Sequence, residues 1–331
     1  MKAVQATHYG TPEEFVLADL PVPEPGPGQI QVRIAAASVN PGDIRLPSGD
    51  FRDVVEVQFP HVPGNDFAGT VTRTGEGVTS YQPGDEVFGF ALPRVLRGMA
   101  GPGSPSLGTG ALAEYAVFEA DTPFVTHRPA GLTAEQAAAL PTVGLTARAL
   151  MHYAEIKPGE TVLVIGATGG VGTAVVPLLA QAGAHVIATA TGEDEKLLAG
   201  LGAAETVDYR TADPAEEVLK RRPDGVDVVF NLVLPGDDLA GAGRAARPGG
   251  RMFTITFPAP VGGELGRDDV SLQLVLDMAG VAGGMREVAE AAEAGLLPAV
   301  IGKRFSLDDG VRALVAFARE HTTGKVVVTM P

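Results

Sequence analysis

The stretch Thr161-Val162-Leu163-Val164-Ile165-Gly166-Ala167-Thr168-Gly169-Gly170-Val171-Gly172 decides the fold of this chain. Its first five residues predict a buried strand, the glycines that follow force a turn, and the stretch Thr173–Ala182 predicts a helix. A second apolar strand, His185–Thr189, comes within about thirty residues of the first. Strand, glycine turn, helix and second strand in this order are typical of a Rossmann-type domain with a parallel sheet.

The same turn predicts a phosphate site. The first N–H groups of a helix have no partner inside the helix, and together with the positive end of the helix dipole they favour a pyrophosphate. Gly169 would let the backbone approach the phosphates, and Gly172 would let the helix pack close to the strand. Ala167 replaces the first glycine of the usual G-x-G-x-x-G pattern. The pattern alone is therefore weak, and its place between a strand and a helix favours a dinucleotide site over a purely structural turn.

The rest of the chain shows two patterns. From about Leu132, helical stretches alternate with apolar strands, which predicts a parallel sheet covered by helices; the further strands are Val226–Leu232 and Arg251–Thr256. Before it, short β-rich runs separated by Pro and Gly predict a compact, mostly antiparallel β domain; these runs are Gln29–Ala36, Ala68–Arg73, Glu86–Phe90 and Leu112–Phe118.

The C-terminal part predicts a return to the first domain. It contains a helix at Gly284–Ala294, a β run at Pro298–Phe305, a helix at Leu307–Glu320 and a last strand at Lys325–Met330. The glycine-rich stretch Gly98–Gly108 predicts a mobile surface loop. The wider segment Leu92–Thr109 could shape a substrate pocket, although such loops are usually just exposed to solvent.

Composition excludes several functions. A chain of 331 residues suits two domains with a cleft for a small ligand. Forty acidic residues against 25 basic ones give a net charge of −15, which opposes binding to nucleic acid or to an anionic membrane. There is no cysteine, so disulfides, thiolate catalysis and cysteine-bound metals are excluded. No signal peptide or membrane span is evident, and we expect a cytoplasmic protein.

The end of the second strand indicates which dinucleotide binds. An NAD site usually has an Asp or Glu there, whereas this strand runs into Ala190-Thr191-Gly192 before the first carboxylate at Glu193. Thr191, Lys196 and Tyr209 could hold a 2′-phosphate, so we expect NADPH in preference to NADH. The acidic run Glu193–Glu195 is the opposing signal, because its field repels a phosphate, but it also suits the start of a helix.

Several motifs together resemble a known family. They are Pro21–Gly28, Ser38–Asp43, Pro63–Gly69, Pro83–Gly89, Ala113–Tyr115, Gly144–Ala147 and Gly324–Val327. As a set they resemble the zinc-independent medium-chain dehydrogenase/reductases, most closely the NADPH:quinone oxidoreductase (zeta-crystallin-like) branch, over nearly the whole chain. In the zinc enzymes of that superfamily a His-Glu pair helps bind the metal, where this chain has Gly64-Asn65-Asp66-Phe67. The resemblance therefore implies an enzyme without zinc.

The resemblance also implies a domain plan. It assigns residues 1–122 and 269–331 to a GroES-like, mostly β catalytic domain and residues 123–268 to a Rossmann, doubly wound cofactor domain. It further implies a homodimer formed through an edge of the cofactor-domain sheet. The run Val270–Leu276 could be that edge strand, or equally a buried core segment.

The reaction implied is hydride transfer to a quinone or an α,β-unsaturated carbonyl, a small-molecule substrate. Something must stabilise the negative charge that develops on the acceptor oxygen. Asn40 matches the asparagine that the family places beside the nicotinamide and substrate, and we expect it to be catalytic; bracing a strand end before Pro41 is the structural alternative. The residues expected to bind the cofactor are Asn40, Thr142, Thr146, Thr168, Gly169, Gly170, Val171, Gly172, Thr191, Lys196, Tyr209, Leu232, Ile255 and Lys325.

Arg45 and Phe51 are the residues expected to contact substrate. They stand where family quinone reductases have tyrosines, and a related tyrosine at the Phe51 position donates a proton in enoyl-thioester reductases. Their replacement argues against thioester reduction, and Arg45 could receive an anionic group instead. Two alternatives stay open: a protein that binds NADP(H) without turnover, and a tailoring reductase specific for one complex aromatic or polyketide-like intermediate.

Overall fold

The computed structural model describes residues 1–99, 106–258, 263 and 265–331. By their internal packing these residues form two units. Unit 1 contains Met1–Leu145, Met278–Gly295 and Ala299–Pro331, and unit 2 contains Thr146–Asp277 and Leu296–Pro298. None of the helices in the described part combines the length and the apolar character that crossing a membrane requires.

Strands and helices alternate along most of the described residues. In chain order they are β1 (Lys2–Gln5), β2 (Val16–Asp19), β3 (Gln29–Ser38), α1 (Pro41–Ser48), β4 (Asp66–Thr74), β5 (Glu86–Pro93), β6 (Ser106–Gly108), β7 (Tyr115–Glu119), β8 (Val125–His127), α2 (Ala134–Ala138), α3 (Pro141–Ala154), β9 (Thr161–Ile165), α4 (Gly170–Gln181), β10 (His185–Ala190), α5 (Glu195–Leu201), β11 (Glu205–Asp208), α6 (Pro214–Arg221), β12 (Val226–Asn231), α7 (Leu239–Gly243), β13 (Ala246–Thr254), β14 (Ser271–Leu274), α8 (Met285–Glu293), β15 (Ile301–Ser306), α9 (Gly310–Arg319) and β16 (Lys325–Thr329).

Unit 1 is built on one large, mainly antiparallel sheet. Its strand order is β15-β16-β3-β4-β5-β6-β7, and β3 also pairs with β7 while β8 pairs with β5. The inward side chains of these strands form the core, in which the rings of Phe67 and Phe118 stack with centroids 3.7 Å apart. The C-terminal strand β16 pairs with β3, with Val327 opposite Ser38. The predicted return of the tail to the first domain is confirmed.

Unit 2 contains a six-stranded parallel sheet in the order β11-β10-β9-β12-β13-β14. The strand order reverses between β9 and β12, so the sheet is doubly wound, and its central strands are buried because helices cover them. In such sheets ligands bind beyond the carboxyl ends of the strands near this reversal, which is where the glycine turn follows β9. The predicted fold class is confirmed.

One local prediction is corrected, and one pair of alternatives is decided. Residues 106–108, expected in a mobile surface loop, form the buried strand β6 between β5 and β7, because Leu107 joins the core of unit 1. The preceding residues 100–105 lie outside the described residues. Of the two alternatives for the run Val270–Leu276, the structure shows the edge strand: β14 lies at the end of the described sheet and is half exposed, while Val270 and Val275 on either side of it are buried.

The predicted domain boundaries after residues 122 and 268 stay a prediction. Around the first of them, α2 packs against β3 and β4 of the unit 1 sheet. Around the second, β14 pairs with β13 and extends the parallel sheet of unit 2, with Met252 opposite Leu272.

Candidate functional site

The glycine turn after β9 has the geometry that its sequence predicts. Gly166 has φ of +86°, which favours glycine, and a side chain there would press on Leu232 and Val233 at 3.2 to 3.3 Å. Its backbone N–H donates to Oγ1 of Thr189 over 2.9 Å, which ties the turn to β10. Gly169 then caps α4 with extended backbone and, being glycine, has no side-chain oxygen to accept from the first turn of the helix.

The start of α4 fits a pyrophosphate. The N–H groups of Gly170, Val171 and Gly172 occupy the first turn, where no carbonyl of the same helix can reach them. Among the residues that the structure describes, a Cβ at Gly169 would meet only the Gly166 carbonyl oxygen, at 3.5 Å, so this side of the turn has room for a ligand. A Cβ at Gly172 would lie 2.4 Å from the carbonyl oxygens of Gly166 and Ala167. One glycine leaves room for an anion and the other allows the close packing of helix and strand.

The ends of β10 and β11 bring together two of the residues expected at the 2′-phosphate. Ala190 pairs with Asp208, so Thr191 and Tyr209 follow neighbouring strand ends, and Tyr209 is 42% exposed. Lys196 is exposed on α5. The hydroxyl of Thr191, however, is buried and donates to Oδ2 of Asp194 over 2.7 Å. One carboxylate of the acidic run is therefore turned inward beside the predicted phosphate residues.

Sequence analysis missed Asn231, the last residue of β12. Its side chain is fully buried and its Nδ2 donates to Thr254 Oγ1 and to the Leu234 carbonyl, each over 2.9 Å. Its Oδ1 accepts from the backbone N–H of Leu234 over 2.9 Å. The amide thus joins the ends of β12 and β13, after which Leu232 and Ile255 follow. A lone amide ending the apolar run Val226–Phe230 is the sequence signal for such a brace.

In unit 1, Asn40 lies at the junction of β3 and α1 and is 5% exposed. Its backbone N–H donates to Oδ2 of Asp43 over 2.8 Å, and the N–H of Gly64 donates to Oδ1 of the same carboxyl over 2.9 Å. Burial raises the pKa of Asp43 to about 7, against the effect of these two N–H donors and with a further upward contribution from the charge of Asp66. Because the Asp43 carboxyl accepts from the N–H groups of both Asn40 and Gly64, it fixes the backbone around Asn40.

The side-chain amide of Asn40 belongs to a buried network. Its Nδ2 donates to Oδ2 of Asp66 over 2.9 Å and lies 3.5 Å from the carbonyl oxygen of Ser38. Its Oδ1 accepts from Nζ of Lys325 over 2.5 Å. Ser38 Oγ also donates to Asp66, as do the hydroxyl and backbone N–H of Thr142, at 3.0, 2.6 and 3.0 Å respectively. Burial lowers the pKa of Lys325, against the effect of the Asp66 and Asp43 charges.

The remaining predicted residues are placed as follows. Arg45 and Phe51 are brought together, since the guanidinium carbon lies 5.0 Å from the ring centroid, and Arg45 Nε donates to Oδ2 of Asp50 over 2.8 Å. Thr146 is partly exposed on α3, one turn after Thr142. Thr168 is buried in the glycine turn.

Across residues 1–99, 106–258, 263 and 265–331, no three His, Asp or Glu side chains cluster as a metal site would require.

Comparison with known proteins gives consistent matches over the whole chain. Residues 26–129 match the alcohol dehydrogenase GroES-like domain and residues 201–328 match the zinc-binding dehydrogenase family. The chain is 31% identical to the chloroplastic quinone-oxidoreductase QR1 of Triphysaria versicolor, over 99% of this chain and 98% of that protein. It is also 31% identical to the quinone oxidoreductase of Rattus norvegicus, over 77% and 73% of the two chains.

Solved structures give the same result. The quinone oxidoreductase from Coxiella burnetii superposes with a TM-score of 0.85 at 26% identity, covering 100% of this chain and 99% of that one. A mycobacterial protein solved in complex with NADPH superposes with a TM-score of 0.84 at 26% identity, covering 99% of both chains.

Proposed function

We propose that this chain, which belongs to the quinone oxidoreductases of the medium-chain dehydrogenase/reductase superfamily, reduces quinones or α,β-unsaturated carbonyls with NADPH. The observation that carries the proposal is the open glycine turn at the start of α4, whose N–H groups face no partner in the helix. Relatives named quinone oxidoreductase and, in Arabidopsis thaliana, NADPH-dependent alkenal/one oxidoreductase support the substrate classes.

In this proposal unit 2 holds the cofactor, which supplies a hydride when bound. The N–H groups of residues 170–172 bind its pyrophosphate. Lys196 and Tyr209 bind the 2′-phosphate, with Thr191 beside them. Leu232 and Ile255, which follow the strands braced by Asn231, present backbone groups to the cofactor. The mycobacterial relative with bound NADPH supports this choice, and the inward carboxylate of Asp194 opposes it.

Asn40 polarises the acceptor in the proposed reaction. One hydrogen of its Nδ2 is committed to Asp66, and within the described part of the chain the other makes only the long contact with the Ser38 carbonyl. The second hydrogen can be donated to a carbonyl oxygen as negative charge develops there. Thr146 lies on α3 as a further hydroxyl donor, whereas the hydroxyl of Thr142 is already donated to Asp66 and anchors that carboxylate. Arg45 with Phe51 contacts the substrate. We propose that no zinc takes part, so that turnover survives dialysis against a chelator.

The experiment is a fluorescence titration with NADPH and NADH, followed by nicotinamide oxidation with a panel of quinones and enones. Asn40→Ala should lower kcat by about 100-fold or more, as loss of a donor to a developing oxyanion does, while the Kd for NADPH changes little. The exposed amide variant Gln82→Ala is the control and should behave as wild type. Lys196→Ala should weaken NADPH by roughly tenfold and leave NADH unchanged.

The outcomes separate the alternatives. Turnover of a quinone or enone supports the proposal. Tight NADPH binding with no turnover on any acceptor favours the non-catalytic protein or the narrowly specific tailoring reductase. No binding of either dinucleotide would refute the proposal.

We further propose a homodimer formed through β14. No further strand of the described residues pairs with the outer side of β14. Leu272 and Leu274 on this strand are partly exposed, and Leu276 beyond it is 54% exposed. Light scattering should report a mass near twice that of the chain, and Leu274→Asp should shift it to the monomer. A wild-type monomer at micromolar concentration would contradict this. The cytoplasmic location stays a prediction.

A further inference from the structure

We propose that Lys325 is a positioning residue that holds the Asn40 amide in the orientation needed to polarise the substrate, and that it does not bind the cofactor. The inference deepens the proposed function and rests on it. Lys325 is 4% exposed on β16, far in sequence from Asn40, and the pairing of β16 with β3 brings the two residues together.

Each of the three N–H donors of the Lys325 ammonium has an acceptor in the structure. Its Nζ lies 2.9 Å from the Val39 carbonyl oxygen, 2.5 Å from Oδ1 of Asn40 and 3.5 Å from Oδ2 of Asp66. These are three acceptors for three N–H donors. An ammonium that is buried and saturated in this way has no proton left for a phosphate or a nicotinamide amide, so Lys325 acts on other side chains.

Lys325 and Asp66 together fix which way the Asn40 amide faces. In the observed orientation Oδ1 faces the ammonium and Nδ2 faces the carboxylate. A 180° rotation of the amide would put its NH₂ against Nζ and its oxygen against the Asp66 carboxylate, so both contacts would become repulsive. Asp66 cannot turn away, because Ser38 and Thr142 also donate to it.

The same arrangement strengthens the donor that the reaction uses. A cation hydrogen-bonded to an amide oxygen withdraws electron density from the amide, and this makes its N–H groups better donors. The charge of Lys325 thereby acts on the substrate through Asn40 without contacting it. Asp43 and Asp66 are the carboxyl groups that face this network, and they lie on α1 and β4 respectively.

The test compares Lys325→Met with Lys303→Met, the same change on the neighbouring strand β15 at a lysine paired with Glu320. Lys325→Met should lower kcat by about 100-fold, as misplacement of a reacting group does, with the Kd for NADPH within threefold of wild type. Lys325→Arg, which keeps the charge, should recover part of kcat. Lys303→Met should match wild type. If Lys325→Met does not fold, the charge-neutral pair Asp66→Asn/Lys325→Met replaces it.

A second readout does not depend on turnover. In ¹⁵N-labelled protein the Asn40 side-chain NH₂ pair, assigned by its loss in Asn40→Ala, should exchange with solvent at least tenfold faster in Lys325→Met. An unchanged NH₂ pair, or a Kd for NADPH raised tenfold with kcat intact, would overturn the inference and return Lys325 to the cofactor. If wild type turns over no acceptor but the NH₂ pair responds as expected, the proposed function fails while the positioning role stands.

Discussion

Gly172, in the first turn of α4, provides the sharpest test of the glycine turn. In Gly172→Ala the new Cβ would lie 2.4 Å from two carbonyl oxygens and 2.5 Å from a carbonyl carbon, all of them backbone atoms of Gly166 and Ala167. Backbone at a buried turn cannot rotate aside as a side chain does. Relief therefore requires α4 to move away from β9, which places the cost at the upper end of overpacking penalties, about 3 kcal/mol.

A second effect partly offsets this cost. Alanine is favoured over glycine inside a helix by about 1 kcal/mol, so the net destabilisation should be roughly 2 kcal/mol. For a chain of 331 residues, whose entropy of unfolding is about 0.7 kcal/mol per kelvin, this lowers Tm by about 3 °C. NADPH should also bind more weakly, because the displaced helix carries the N–H groups of its first turn with it.

Gly200→Ala is the matched control. Gly200 lies in α5, and a Cβ there would meet no atom of the described residues within 4 Å. The same substitution should therefore stabilise the protein by about 0.5 to 1 kcal/mol through helix propensity alone. Differential scanning calorimetry of the two variants, with and without NADPH, measures both effects. The reasoning is refuted if Gly172→Ala melts at or above the wild-type temperature.

Two further predictions concern stability. Asn231→Ala removes the buried amide that joins the ends of β12 and β13, and it should lower the free energy of unfolding in urea by about 2 to 3 kcal/mol. Thr256→Val removes one hydroxyl of the same network and should lower it by about 1 kcal/mol. Equal effects of the two variants would argue against the brace. The hydrogen bond from Arg222, with help from His185 and Arg221, holds the pKa of Glu205 at about 2. A depressed carboxyl pKa contributes stability above the unfolded value of 4.5 that is lost as the pH falls towards 2. Glu205→Gln should thus lower the free energy of unfolding at pH 7 by at most about 1 kcal/mol, because the network is partly exposed, and should match wild type near pH 2. A constant difference in the free energy of unfolding between pH 7 and pH 2 would contradict the assignment.

Local patterns in the sequence were sufficient to predict the architecture. The period of the apolar residues distinguishes β9 from α4. Gly172 is required by a close approach to the Gly166 and Ala167 carbonyl oxygens, which lie only a few positions before it in the sequence. The return of β16 to the first sheet was also predictable, because an apolar strand after a helix must find a sheet to pair with. The stretch 106–108 was predicted wrongly, since composition indicates a loop but not whether a short segment has a neighbouring strand to join.

The sequence by itself determined the element types and the glycine turn, because these depend on neighbours a few positions apart. Asn40 was singled out by the resemblance of its motif, Ser38–Asp43, to the family. Only the tertiary structure decided what Asn40 touches. Lys325, Asp66 and Thr142 are brought to it by strand pairing and helix packing over separations of up to 285 residues, and their buried charges then set its orientation. The inward orientation of the Asp194 carboxylate and the brace at Asn231 could likewise not be predicted from the sequence, because burial and hydrogen-bond partners are properties of the packed chain.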